Sequence, residues 1–184
     1  MSVFDDLRNG KSYDIRNEDY LREAHGEMKR CRNLCWRITQ TNPDDRDSII
    51  TLERELFCGV LPEGTFITPP FQIDCACCVR LGKNVFANHG LTMMSIGTII
   101  IDDGVMLGPE VGLFTVNHEP QNIRTIMTKS IHLKRNAWIG ARVSILPGVT
   151  VGENAIVGTG SVVTHDVPDN CMAVGVPARI VKEI

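Results

Sequence analysis

The chain has 184 residues and a net charge of −3, enough for one domain with a sound core, and its basic residues cluster nowhere beyond Lys29 to Arg32. That balance excludes a nucleic-acid or membrane-surface protein, and no segment reaches the roughly 20 apolar residues that a bilayer span requires. With no apolar leader and seven scattered cysteines, it reads as a cytoplasmic protein with free thiols.

Residues 1–58 carry no six-residue pattern and read as a helical region. Asn9-Gly10 marks a turn. Leu21, Ala24, Met28, Cys31, Cys35 and Ile38 recur near helical spacing, which predicts one amphipathic helix over 18–41 with Asn17 as its N-cap. Thr41-Asn42-Pro43 stops it, and a second helix is expected over 44–57 with Ile49, Ile50, Leu52, Leu56 and Phe57 on its apolar side. Arg22, Lys29, Arg30 and Arg32 read as a solvated face. From Gly64 the chain turns β-rich, with a strand over 65–71 closed by Pro69-Pro70. Cys75-Ala76-Cys77-Cys78 is the one cysteine cluster. No second Cys or His pair stands at a zinc-like spacing, so buried small residues are favoured over a metal site, and no metal is expected.

The strongest signal lies further on. Leu133, Ile139, Ile145, Val151, Val157 and Val163 recur every sixth position, and Ala137, Val143, Val149, Ala155, Ser161 and Val167 recur four places behind them. Neither the helix period of 3.6 nor strand alternation gives a six-residue spacing. A parallel β-helix does, because six residues make one side of a triangular coil and the aliphatic residue points inward. Earlier copies start at Leu81, Ala87 and Met93. A two-residue slip then resets the phase to Ile101, Leu107 and Leu113. The pattern vanishes between Leu113 and Leu133, where the polar run Thr115-Val116-Asn117-His118-Glu119-Pro120-Gln121-Asn122 is expected to project as a functional loop over about 114–132. The domain reading is a helical region (1–58), a β-helix (59–170) and a short C-terminal tail (171–184). The helices are expected to cap one end of the prism and the tail the other.

With those residues in view, the chain resembles the galactoside and maltose O-acetyltransferases of the hexapeptide-repeat acyltransferase superfamily. The resemblance rests on Gly10-Lys11-Ser12-Tyr13-Asp14, Phe86-Ala87-Asn88, Asn117-His118, Asn136-Ala137-Trp138-Ile139-Gly140, Pro147 to Gly152, Gly158 to Pro168 and Gly175-Val176-Pro177-Ala178-Arg179. It covers nearly the full length. It implies a left-handed parallel β-helix and direct acetyl transfer from acetyl-CoA to a hydroxyl of a sugar or sugar-like acceptor.

The resemblance also assigns roles. His118 becomes the general base, since imidazole titrates near neutrality and can take the acceptor's proton. Asn88 falls near the reacting centre, where its amide could stabilise an oxyanion or hold the acceptor; an Asn at a coil corner is an equal alternative. Asp14 and Asp74 take positions that hold the sugar, although either could simply cap a turn or a coil. A further sugar-binding Asp of such enzymes falls here on Ile96, and the loop after His118 is about four residues shorter. Both departures weaken any assignment to galactoside or maltose.

Coenzyme contacts are implied at Ala141, Thr159, Thr164, His165, Arg179 and Lys182, and Trp138 lines the channel or packs at a subunit interface. His89 has no matching role. A homotrimer with three shared sites is implied. Serine, an antibiotic or an amino sugar are alternative acceptors, and a non-catalytic β-helix scaffold is the alternative outside enzymes.

Overall fold

A computed structural model describes residues 2–59 and 61–184. The six-residue repeat builds what its spacing predicts, a stack of triangular coils whose three sides are parallel sheets of seven, five and four strands, one strand of the seven excepted. The first side runs through Phe66–Ile67, Phe86–Ala87, Met106–Leu107, Trp138–Ile139 and Ile156–Val157. The second runs through Gln72–Ile73, Thr92–Met94, Gly112–Phe114, Ser144–Ile145 and Val162–Val163. Val79–Leu81, Ile99–Ile101, Ile131–Leu133 and Thr150–Val151 form the third. Coils therefore begin at Phe66, two sides before the repeat becomes readable at Leu81.

Every repeat position from Ala87 to Val163 is buried, and Leu81 is half-buried. Each fully buried Leu or Ile here contributes about 1.5–3 kcal/mol. The corner between the third and first sides is held by an asparagine column: Asn136 Nδ2 donates to Asn154 Oδ1 (3.2 Å), and Asn154 Nδ2 to Asn170 Oδ1 (2.9 Å). These three and Asn84 adopt φ of 54–58°, a left-handed conformation that Asn tolerates better than most residues.

α1 (Val3–Arg8), α2 (Glu18–Gln40) and α3 (Arg46–Leu56) make up most of the N-terminal region. Asn17 caps α2 as expected, its side chain accepting from the backbone of Asp19 and Tyr20. α2 and α3 close one end of the prism by packing Cys35, Ile38, Ile49, Leu52 and Leu56 into the core that includes Ile67, Phe71 and Ile73. Leu21, expected on the buried face, is 43% exposed.

Three expectations need correction. Residues 1–58 are not wholly helical, because Tyr13–Asp14 is a strand. The expected projecting loop is a β-hairpin of Val116–Glu119 and Asn122–Thr128, whose second strand also pairs with Tyr13–Asp14 and so lies at the centre of a three-stranded sheet. Its polar residues are the exposed positions of strands, a pattern indistinguishable from a loop in the sequence. The tail is also more than a cover: Cys171–Gly175 continues the first side, and Ala178–Glu183 folds back antiparallel on it. Within the cysteine cluster, residues 76–78 form a 3₁₀ turn that buries Cys75 and Cys78 and leaves Cys77 exposed.

Candidate active site

The hairpin leaves the prism at the corner between the second and third sides. Thr115 fixes that departure: it is fully buried, and its Oγ1 donates to Met94 O and accepts from Gly97 N (2.9 Å). A Cβ at Gly97 would stand 2.6 Å from Thr128 Cβ, so only glycine lets the hairpin base pack against this corner. On the hairpin, His118 and Tyr13 lie opposite Ile126 from its two sides, and Asp14 lies opposite Thr125. Ile126 is buried with Val3, Leu7, Tyr13 and Ile96 in a second core, which anchors the sheet.

His118 is exposed, and its Nδ1 lies 2.5 Å from the carbonyl oxygen of Ile123. A carbonyl only accepts, so Nδ1 carries the proton and the neutral ring presents a lone pair at Nε2. The hairpin thus leaves Nε2 as the ring nitrogen able to accept a proton. Ile123 was not readable as its partner, because the bond crosses a turn whose existence the sequence did not show.

Asp14 shares the sheet with His118, but its carboxylate is already held. Arg16 donates to it from Nε (2.9 Å), Nη2 (2.6 Å) and the backbone N–H (2.9 Å), and this holds the carboxyl well below the usual range. The turn-capping alternative therefore describes its contacts. Asp74 follows Gln72–Ile73 at the same edge, half-buried; burial pushes its carboxyl up, and Arg32 opposes that rise.

Asn88 stands apart from these three. It precedes Thr92–Met94, whereas His118 follows Gly112–Phe114, the parallel neighbour of that strand, so the two residues sit at opposite edges of the second side. Three strand residues alone separate those edges by roughly 10 Å. Asn88 Oδ1 accepts from the His89 backbone N–H (2.8 Å) and stands 2.8 Å from His89 Nδ1. Because the backbone donor identifies that atom as the oxygen, His89 Nδ1 must donate too, and the Asn88 amide N–H groups remain available.

From Asn88 a column of small residues climbs the same corner. Backbone bonds of 2.8–2.9 Å link Asn88 to Leu107, Gly108 to Ile139, Gly140 to Val157 and Gly158 to Ala173. A Cβ at Gly108 would stand 2.6 Å from Ala141 N, and one at Gly140 would stand 2.7 Å from Thr159 N. Close coil stacking therefore demands these glycines, and the small residues Ala141 and Thr159 follow them at the same corner.

Thr164 and His165 lie beyond Val162–Val163, at the opposite edge of the side from Ala141 and Thr159. His165 joins Arg179 in one cavity of about 360 Å³ at the C-terminal end; Lys182 is exposed and does not line it. Trp138 is 53% exposed, between Met106 and Ile156 on the first side. Ile96 is 1% exposed and offers no polar contact. One chain therefore gathers His118, Asp14 and Asp74 at one edge, and Asn88, Ala141 and Thr159 at another.

Comparison with known proteins agrees with this architecture. The family described as bacterial transferase hexapeptide (six repeats) matches residues 130–165. Galactoside O-acetyltransferase of Escherichia coli (strain K12) is 34% identical over all of this chain and 90% of its own length. A solved galactoside acetyltransferase in complex with coenzyme A superposes with a TM-score of 0.90 at 30% identity, covering 100% of this chain and 91% of that one. A hexapeptide-repeat acetyltransferase of Vibrio cholerae, complexed with acetyl-CoA, gives 0.87 at 29% identity, with 100% and 98% covered. With the coils, the hairpin and near-complete overlap in agreement, the chain belongs to the hexapeptide-repeat acetyltransferases, in the group that includes galactoside O-acetyltransferase.

Proposed function

We propose that this chain moves an acetyl group from acetyl-CoA directly to a hydroxyl of a sugar-like acceptor, with His118 as general base, in a homotrimer whose sites each join two chains. The observation that carries the reading is the His118 tautomer. Its Nδ1–H is committed to Ile123 O, so Nε2 is free to take a proton. Nε2 removes the acceptor's hydroxyl proton as the oxygen attacks the thioester carbonyl. The tetrahedral oxyanion gains a donor from the Asn88 amide, the C–S bond breaks, and the imidazolium returns its proton to the leaving thiolate. No covalent acyl-enzyme forms.

The pantetheine arm passes the small residues Ala141 and Thr159, and Arg179 with His165 supplies positive charge for the coenzyme's phosphates, His165 only when protonated, against the Asp166 carboxylate in the same cavity. Thr164 and Lys182 flank that end. Asp74 remains an acceptor contact, whereas Asp14 must exchange Arg16 for a hydroxyl to serve as one. The buried Ile96 points away from galactoside and maltose, toward an acceptor with fewer hydroxyls on that side.

Two observations support the shared site. Asn88 and His118 lie at opposite edges of one sheet, so a neighbour's edge can bring the pair together. The first side also turns Phe66, Phe86, Met106, Trp138 and Ile156 outward, while the third turns out Arg80, Ile100, His132 and Thr150. An apolar stripe of this kind marks an interface, and a second copy of the chain is its fitting occupant.

The test is thiol release from acetyl-CoA across a panel of sugars and other hydroxyl acceptors. His118→Ala is expected to lower turnover at least about 100-fold on the best acceptor while leaving the circular dichroism unchanged. A loss of only a few-fold, or no release with any acceptor, overturns the reading.

A further inference from the structure

At the base of the hairpin, where α1 meets the corner at residues 95–98, lies a cavity of about 270 Å³ lined in part by Arg8, Arg80, Thr98, Thr128, Lys129 and Ser130. No carboxylate lines it, nor does any group assigned above to acetyl transfer. Elsewhere on the coils Lys83, Lys134, Arg135 and Arg142 each face a carboxylate within 4 Å. Arg80 and Lys129 do not: among the described residues neither makes an ion pair or a side-chain hydrogen bond. In a chain of net charge −3, two cations without an ion pair border one cavity, Arg80 standing between it and a neighbouring cavity lined by Asp102, Asp103 and Glu153.

Two further features belong to the same place. Thr98 is 7% exposed, holds φ at +81°, and its buried Oγ1 has no hydrogen-bond partner. A β-branched residue rarely accepts that backbone conformation. The carbonyls at the end of α1, which would repel an anion, are already taken: Leu7 O accepts from Gly10 N and Thr128 Oγ1, and Asp6 O accepts from Asn9 N and Lys11 N. Arg8 is partly neutralised by Asp5, which leaves Arg80 and Lys129 as the lining cations without an ion pair.

We infer that this cavity is a binding site for a phosphate-type oxyanion, distinct from the coenzyme's contacts. A guanidinium fork, an ammonium and the Ser130 hydroxyl supply donors from several directions, which suits a tetrahedral anion with acceptors on every face. The volume lies just below the range of ordinary small-molecule pockets, so the anion is either free phosphate or the phosphate group of a small metabolite.

The test is titration calorimetry on the full chain with inorganic phosphate, at constant ionic strength and with coenzyme A saturating so that its own contacts are occupied. Saturable binding is expected. Arg80→Gln and Lys129→Gln should each weaken it about tenfold, while Lys129→Arg stays close to wild type. Repeating the titration with glucose 6-phosphate separates the sources: tighter binding than phosphate assigns a phosphorylated metabolite, equal binding assigns free phosphate, and glucose alone should give no heat. Three results overturn the site: no saturation up to about 50 mM phosphate, affinity unchanged in both Gln variants, or loss of binding when coenzyme A is present.

Discussion

His118 and Asn88 share a design in which a neighbouring group fixes which atom faces outward. For His118 the Ile123 carbonyl settles the tautomer, and for Asn88 the two donors of His89 settle the orientation of the amide. If His89 acts by holding Asn88, His89→Ala should lower kcat by roughly three- to tenfold while leaving the KM for acetyl-CoA unchanged. In an Asn88→Ala background it should cost nothing more. Additive losses in that double-mutant cycle would show that His89 works through another contact. Both residues were legible because they stand in short motifs; their orienting partners were not. His89 is adjacent in the chain but carries no motif, and Ile123 contributes only a backbone oxygen.

At the scale of elements, the helices and coils followed from spacing, since burial repeats at 3.6 residues in α2 and α3 and at six in the prism. The hairpin escaped that logic because one of its strand partners, Tyr13–Asp14, lies over a hundred residues away. α3 carries a feature that its apolar pattern hid. Glu53 is fully buried, neither carboxyl oxygen has a partner, and burial pushes its pKa up to about 7 while Arg46 opposes the rise. A carboxyl raised in the fold binds its proton more tightly there than in the unfolded chain. Its contribution is therefore fully present below about pH 4.5 and is lost as pH rises toward 7, by roughly 2–4 kcal/mol. Urea midpoints at pH 5 and pH 8 check this. Glu53→Gln should remove most of the wild-type decline, and an equal decline in both proteins would show that other groups cause it.

For the molecule as a whole, one chain holds His118 and Asn88 on two separate edges, and in the proposed function assembly is the step that unites them. Two inactive variants should then complement each other. Mixing His118→Ala and Asn88→Ala chains after dissociation and reassembly should restore about a quarter of the wild-type activity, the fraction of interfaces at which an intact His118 meets an intact Asn88. No recovery in mixed oligomers, confirmed by tagged subunits, would place both residues in the same chain's site. Replacing Met106 and Trp138 by Glu on the apolar side should convert the proposed trimer to monomers in sedimentation, and an unchanged mass would move the interface elsewhere.

The chain's periodicities alone determined the β-helix, the two main helices, the capped prism end and the interruption that carries His118. Each depends on residues near one another in sequence, and burial imposes its period on them directly. What tertiary structure decided was which distant groups meet. Tyr13–Asp14 joins the hairpin, Arg16 occupies Asp14, Ile96 seals into the second core, and Arg80 converges with Lys129. Contacts of that kind leave no period behind them. Their energy comes from pairing charges, donors and surfaces across coils, and only the folded chain brings those partners within reach.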